Sequence, residues 1–173
     1  CIRDRLFSAT LEGEAIREFA ERILKEPVEV EADPSRRERK KILQWYYRAD
    51  DVQHKTALLI HLLKQQDVQK SVIFVRKRER VHELATWLRE AGINTCYLEG
   101  ELVQAKRNEA VKRMMDGRVN VLVATDVAAR GLDILDITHV FNFDMPRTAD
   151  TYLHRIGRTG RAGRKGTAIS LVE

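Results

Sequence analysis

The stretch Ser71-Val72-Ile73-Phe74-Val75-Arg76-Lys77-Arg78-Glu79-Arg80 continues through Ala91-Gly92 to Thr95-Cys96-Tyr97-Leu98. It sets two short apolar runs on either side of a segment with helical apolar spacing. Runs this short and this apolar predict strands over 71–75 and 95–98, buried on both faces. The segment between them predicts a helix over Glu79–Ala91, closed by Gly92. Working outward, the same alternation recurs on both sides. A strand over Ile42–Tyr47 and a helix over Lys55–Leu63 precede it. A helix over Lys106–Met115 stopping at Gly117, strands over Val119–Ala124 and His139–Phe143, a helix over Ala149–Ile156 and a strand over Thr167–Val172 follow. Short apolar strands separated by helices imply a parallel sheet with helices on both faces, because right-handed crossovers place them there. The fold class read from the pattern is α/β. Nearer the start, Ile16, Phe19, Ala20 and Ile23 predict a helix over Glu14–Leu24, closed by Pro27. Residues 31–41 have almost no apolar content, include Pro34 and carry five basic residues, so they read as a linker with a domain boundary within it.

The chain has 173 residues, enough for one domain of ordinary size. With 43% hydrophobic and 33% charged residues, nine Gly and three Pro, it is neither disordered nor collagen-like, and no apolar run reaches membrane-spanning length. A formal net charge of +5 favours a polyanionic partner without requiring one. Cys1 and Cys96 are far apart and lack the spacing of a disulfide framework or a zinc site, which fits a reducing cytoplasm. The start at Cys1-Ile2-Arg3 has neither an initiator Met nor a signal pattern, so the chain reads as cut from something longer.

The segment richest in chemistry runs from His154 to Lys165 and holds Arg155, Arg158, Arg161, Arg164 and Lys165 with no acidic residue. A solvated helical face would explain the charges, but Gly157, Gly160 and Gly163 each cost about 1 kcal/mol in a helix interior. The helix should therefore end near Gly157 and give way to a loop. Such a loop presents Arg158 and Arg161 as planar donor forks suited to phosphate oxygens and to charge developing in phosphoryl transfer. A second segment, Val121 to Ile134, carries a buried strand into Thr125 and Asp126, where ligands of open α/β sheets bind. Asp133 suits a sugar hydroxyl and Thr125 a phosphate; equally, Thr125 and Asp126 suit capping of the next turn. Ser8-Ala9-Thr10 reads in isolation as a helix cap. Gly100 permits close backbone approach, and Arg107 suits a phosphate or a solvated helix.

Together and in this order the segments resemble the second, C-terminal RecA-like domain of DEAD-box ATP-dependent RNA helicases, over the whole chain. Phe7-Ser8-Ala9-Thr10 resembles the family's S-A-T motif, and Ser71 to Val75 its fourth motif. Gly100, Gln104 and Arg107 resemble its G-x-x-x-Q-x-x-R element. Ala124 to Ile134 is similar to A-T-D-x-A-x-R-G-x-D, and His154 to Arg161 to H-R-x-G-R-x-x-R. Trp45 to Asp50 and Phe74 to Arg80 resemble the bacterial SrmB type. Leu135 stands where the family commonly has Pro, and Arg5 where it is usually apolar.

The resemblance implies that Arg158 and Arg161 contact the ATP γ-phosphate, Arg161 being the arginine finger, and that Asp133 contacts the ribose. It implies that His154 belongs to the network between nucleotide and RNA. Arg76, Gly100, Arg107 and Thr125 would face the RNA backbone, and Ser8 and Thr10 would couple two domains. Residues 1–30 would be the last strand and helix of a first RecA-like domain, 31–41 a basic interdomain linker, and 42–173 the C-terminal domain. The sequence has neither a G-x-x-x-x-G-K-[ST] loop nor an Asp-Glu-Ala-Asp box, so ATP with Mg²⁺ would be held mainly by the first domain. The implied partners are that domain and RNA read without regard to sequence, ribosomal RNA precursors included. A stand-alone RNA-binding or annealing module is the rival reading.

Overall fold

The computed structural model describes residues 14–25, 41–100, 103–132, 134, 136–161 and 163–173. Ser8, Thr10, Asp133, Leu135 and most of the 31–41 stretch lie outside the described residues. The chain divides into two units, residues 1–33 and 34–173. In the first, the helix α1 spans Glu14–Ile23, and Leu24 N–H still donates to Ala20 O at 2.8 Å, matching the helix expected over 14–24.

The second unit contains one six-stranded sheet, all of whose pairings are parallel. In chain order its elements are β1 (Ile42–Arg48), α2 (Val52–Leu63), β2 (Ser71–Phe74), α3 (Arg78–Glu90), β3 (Thr95–Leu98), α4 (Gln104–Met115), β4 (Val121–Ala124), β5 (His139–Asn142), α5 (Ala149–Ile156) and β6 (Gly166–Val172). The strands lie in the order β1-β6-β5-β2-β4-β3. Strands β2, β4 and β5 are buried along their whole length, as their unbroken apolar runs require.

Alternating side chains divide the interior into two cores. Ile73, Val121, Val123, Phe141 and Ile169 meet Leu59 and Leu63 of α2 and Val81, Leu84, Ala85 and Leu88 of α3 on one face. On the other, Val72, Phe74, Leu122, Ala124 and Val140 meet Ala110 and Met114 of α4, while Ala168 meets Ile156 of α5 and Ile42. Two covered faces fix the registers, since a slip of one residue would exchange the cores.

The elements begin and end close to where the pattern puts them, and the differences have local causes. Helix α2 starts three residues before the expected Lys55 because Asp51 caps it, accepting from His54 N–H at 2.7 Å. Gly92 (φ +80°) and Gly117 (φ +72°) stop α3 and α4 in left-handed geometry. The expected helices on both faces are present, and the cover thins toward one edge. At the sheet's outer edge, six of the seven residues of β1 are exposed. The run Ile42–Tyr47 carries no sign of that, because edge position is decided by which strands pair and not by local composition.

Candidate functional site

Parallel strands bring their carboxyl ends to one side of the sheet, where β2 delivers Val75-Arg76, β3 Glu99-Gly100, β4 Thr125-Asp126 and β5 Phe143-Asp144. The group that ties these ends together is Arg155, in the last turn of α5 and only 1% exposed. Side chains on a helix lean toward its N-terminus, so Arg155 reaches back over the strand ends. Its Nε and Nη2 donate to Asp126 Oδ1 and Oδ2 at 2.6 and 2.8 Å. Its Nη1 donates to Asn142 Oδ1 at 3.1 Å and to Asp144 O at 2.6 Å. The guanidinium carbon lies 5.0 Å from the centroid of the Phe74 ring. A buried cation is tolerable only when it is paired and its donors are satisfied, and here four of the five N–H groups of an Arg are engaged. Asp144 carries the linkage on: its N–H donates to Phe74 O at 3.2 Å, and its Oδ2 accepts from Arg76 N–H at 2.8 Å.

Not all five basic residues of the segment from His154 to Lys165 are available to a phosphate. Arg155 is spent inside the protein, and Arg164 is paired with the exposed Asp136. Beyond them the expectation of a loop holds. Helix α5 ends at Ile156 with Gly157 as its C-cap, and Gly160 (φ +69°) and Gly163 (φ +79°) take left-handed geometry. Thr159 is buried, its Oγ1 donating to Ile137 O at 2.6 Å. This pins the loop against the start of β5. Between these fixed points stand the two Arg residues expected to meet phosphate. Arg158 Nη1 donates to Leu132 O at 2.9 Å, and Arg161 Nε donates to Gly157 O at 2.8 Å. Burial, and after it the neighbouring Arg161 charge, push the Arg158 guanidinium below its ordinary value. Arg158 and Arg161 are both half-buried on this loop.

The same loop has no spare volume at its far end. A Cβ on Gly166 would stand 2.5 Å from Thr159 Oγ1 and 2.6 Å from the backbone N of Gly160. Gly166→Ala is therefore expected to lower the unfolding free energy by about 1–3 kcal/mol, as overpacking does. Gly131→Ala has open space and meets only the strain of φ +70°. Denaturant melts of both variants check this; an unchanged midpoint for Gly166→Ala would contradict the packing.

The residues expected to face RNA gather at the carboxyl ends of β2, β3 and β4. Arg76 is exposed beyond β2, and Gly100 is exposed beyond β3. A Cβ on Gly100 would make only an ordinary 3.8 Å contact with Val127, so the protein itself does not demand glycine there. Thr125 is buried, and its Oγ1 accepts from Ala128 N–H at 3.4 Å, which is the capping arrangement. Arg107, in the first turn of α4, donates through Nη2 to Ala128 O at 3.1 Å and Arg130 O at 3.4 Å, bracing the loop that follows β4. His154 is exposed, with Nε2 3.3 Å from Asp150 Oδ2. Asp133 lies outside the described residues, as do Ser8 and Thr10. Sequence reading missed Arg155 as a structural hub and Asp126 as its partner. Among the described residues no group of three or more His, Cys, Asp or Glu is placed to hold a metal.

The family described as helicase conserved C-terminal domain matches residues 54–163, which include the strand ends, Arg155 and both loop arginines. The chain belongs to that family, in its DEAD-box branch. It is 79% identical over 97% of its length to the ATP-dependent RNA helicase SrmB of Escherichia coli K12, and spans 38% of the length of that relative. A crystal structure of E. coli DEAD-box protein SrmB bound to regulator of ribonuclease activity A is 80% identical. It superposes with a TM-score of 0.75 over 76% of this chain and 78% of the other. Saccharomyces cerevisiae Dbp5 bound to RNA and ADP BeF3 is 35% identical, with a TM-score of 0.80 over 96% of this chain and 44% of the other. The six-stranded parallel sheet is thus the RecA-like C-terminal fold of DEAD-box helicases.

Proposed function

We propose that this chain is the C-terminal half of an ATP-dependent RNA helicase, gripping RNA by its backbone and supplying the arginine finger to ATP held by a first RecA-like domain. The observation that carries the reading is the pair Arg158 and Arg161, half-buried, mutually repelling and fixed by carbonyl contacts on a loop that glycine geometry dictates. A module that only bound or annealed RNA would have no need of two Arg at the spacing of the family's nucleotide positions, which weighs against the rival reading. In this scheme Asp133 serves the ribose, His154 links nucleotide and RNA, Ser8 and Thr10 couple the domains, and 31–41 is the linker. Mg²⁺ bound with ATP would supply charge neutralisation at the transferring phosphate, and its ligands would come from the first domain. This chain's own residues bind and orient: Arg158 and Arg161 hold the terminal phosphate, and Arg155 holds the strand ends at a fixed spacing beside them. RNA, ribosomal precursors included, is the substrate, and the cytoplasm the place of action.

Two experiments test this. The 173-residue chain alone should show no RNA-stimulated ATP hydrolysis, and the first domain of an SrmB-like helicase supplied by fusion should restore it; metal-dependent hydrolysis by the chain alone would overturn the composite cleft. In that fused protein RNA affinity should fall with salt and vary little with sequence, since single strands release roughly 0.7 counterion per phosphate neutralised. Arg107→Ala should then lower affinity and flatten the log-log salt slope together. Loss of affinity for one RNA sequence with the slope intact would mean that Arg107 reads a base.

A further inference from the structure

Along β2 the backbone groups of successive residues turn to opposite neighbours. Val75 N–H donates to Ala124 O of β4 at 3.1 Å, whereas Phe74 O accepts from Asp144 N–H, just beyond β5, at 3.2 Å, so the even-numbered residues face β5. The evenly spaced rungs of a parallel ladder would next bring Arg76 N–H to Asp144 O. That rung is replaced. The Asp144 carbonyl accepts from Arg155 Nη1 at 2.6 Å, and Arg76 N–H donates instead to the Asp144 carboxylate, with Oδ2 at 2.8 Å. Asp144, half-buried, thus serves the buried arginine with its backbone and the exit of β2 with its side chain. The next residue, Lys77, is the N-cap of α3 and makes no side-chain cap bond, so the Asp144 carboxylate holds the backbone between β2 and α3 at Arg76.

We propose, resting on the assignment of Arg76 to the RNA backbone, that Asp144 is a positioning residue of the RNA site, its carboxylate setting the place from which Arg76 reaches a phosphate. Asp144 itself touches no RNA. The bond depends on side-chain length: an aspartate oxygen meets the displaced rung, Ala offers no acceptor there, and Glu carries its oxygens one methylene further out. Charge argues the other way. A carboxylate beside a phosphate-binding cation weakens the field felt by a polyanion, so if Asp144 acted through its charge alone, removing it would tighten RNA binding. Positioning predicts the opposite sign. A bond that served the fold alone would cost the same whether or not Arg76 were present, whereas a bond that acts through Arg76 costs nothing once that side chain is gone. The Arg155 hub is not at stake in the comparison, because its contact here is with the main-chain carbonyl, which every substitution at 144 retains.

Titrations of a fluorescent oligouridylate at several salt concentrations test this, in the chain fused to the first domain of an SrmB-like helicase. Asp144→Ala should raise the dissociation constant roughly 10-fold, the equivalent of one charge-assisted hydrogen bond, and flatten the log-log salt slope by about 0.7, the share of one phosphate contact. Arg76→Ala should do the same. Adding Asp144→Ala to Arg76→Ala should then weaken binding by less than about 2-fold more. Asp144→Asn keeps an acceptor oxygen at the same length and should bring the affinity back to within about 3-fold of the parent. Tighter binding by Asp144→Ala, an equal loss with and without Arg76, or a loss in Asp144→Asn as large as in Asp144→Ala overturns the proposal. Weakened binding by Arg76→Ala with parental binding by Asp144→Ala overturns the positioning role alone. A parent that binds no RNA, or Arg76→Ala binding like the parent, overturns the assignment of Arg76 and the positioning role with it. Should Asp144→Ala fail to fold, Asp144→Glu, which keeps the charge and moves the oxygen, replaces it with the same expected loss.

Discussion

Arg161→Ala, in the chain fused to a first RecA-like domain, is expected to lower kcat for RNA-stimulated ATP hydrolysis by on the order of 10³ to 10⁵, the range of arginine fingers elsewhere. The finger acts where charge develops, so ATP and RNA affinities in the ground state should fall much less. Arg161 is anchored by its Nε to the carbonyl of Gly157 at the end of α5, three residues beyond Arg158 on the same loop. Arg161→Lys should rescue poorly, since a point charge cannot reproduce a planar fork. Arg164 provides the control. It lies three residues on and is exposed and paired with Asp136, so Arg164→Ala should behave like the parent. Steady-state ATPase at saturating RNA separates the outcomes: near-parental kcat for Arg161→Ala with loss for Arg164→Ala would assign the finger to the other residue.

The second large effect concerns stability. Arg155→Met is expected to cost about 3–5 kcal/mol of unfolding free energy, because it strips Asp126 of its partner and leaves Asn142 and the Asp144 carbonyl without their donor. That is a large share of the 5–15 kcal/mol typical of a domain. Arg155→Lys should lie between, keeping the charge but not the fork that serves three residues. The comparison that isolates burial is Arg118→Ala: its pairing with Asp116 is as short, at 2.7 Å, but both side chains are exposed, and the loss should stay within about 0.5 kcal/mol. Urea titrations with unchanged slope measure both. A loss below about 1 kcal/mol for Arg155→Met would show the hub to be dispensable.

What the sequence discloses and what it withholds divide along physical lines. The unbroken runs Ser71–Val75 and Val121–Ala124 announce fully buried strands, since nothing else tolerates such runs in so short a space. Gly157, Gly160 and Gly163 announce the loop, since a helix would lose stability at each. The reach of Arg155 is hidden because its partners Asp126, Asn142 and Asp144 stand 11 to 29 residues away and are assembled only by the strand order. Thr125 is ambiguous for a different reason: a threonine at a strand's end caps or binds with the same oxygen, and the 3.4 Å contact to Ala128 N–H shows the capping alone. The exposure of β1 is likewise a fact of topology. Ile-Leu-Gln-Trp-Tyr-Tyr would be unremarked in the middle of the sheet.

Strand order also governs when the molecule can form. Strand β6, made after the other five, is seated between β1 and β5, pairing Ile42 with Gly166 and Arg48 with Val172. The first strand of the sheet must therefore wait, unattached, while on the order of 120 further residues are synthesised, and its docking closes the longest loop in the fold. Strands β2 to β5 are complete earlier and share both cores, so they are the natural nucleus. During synthesis the aromatic strand is an early-made hydrophobic segment that stays without a seat until Gly166–Val172 has emerged.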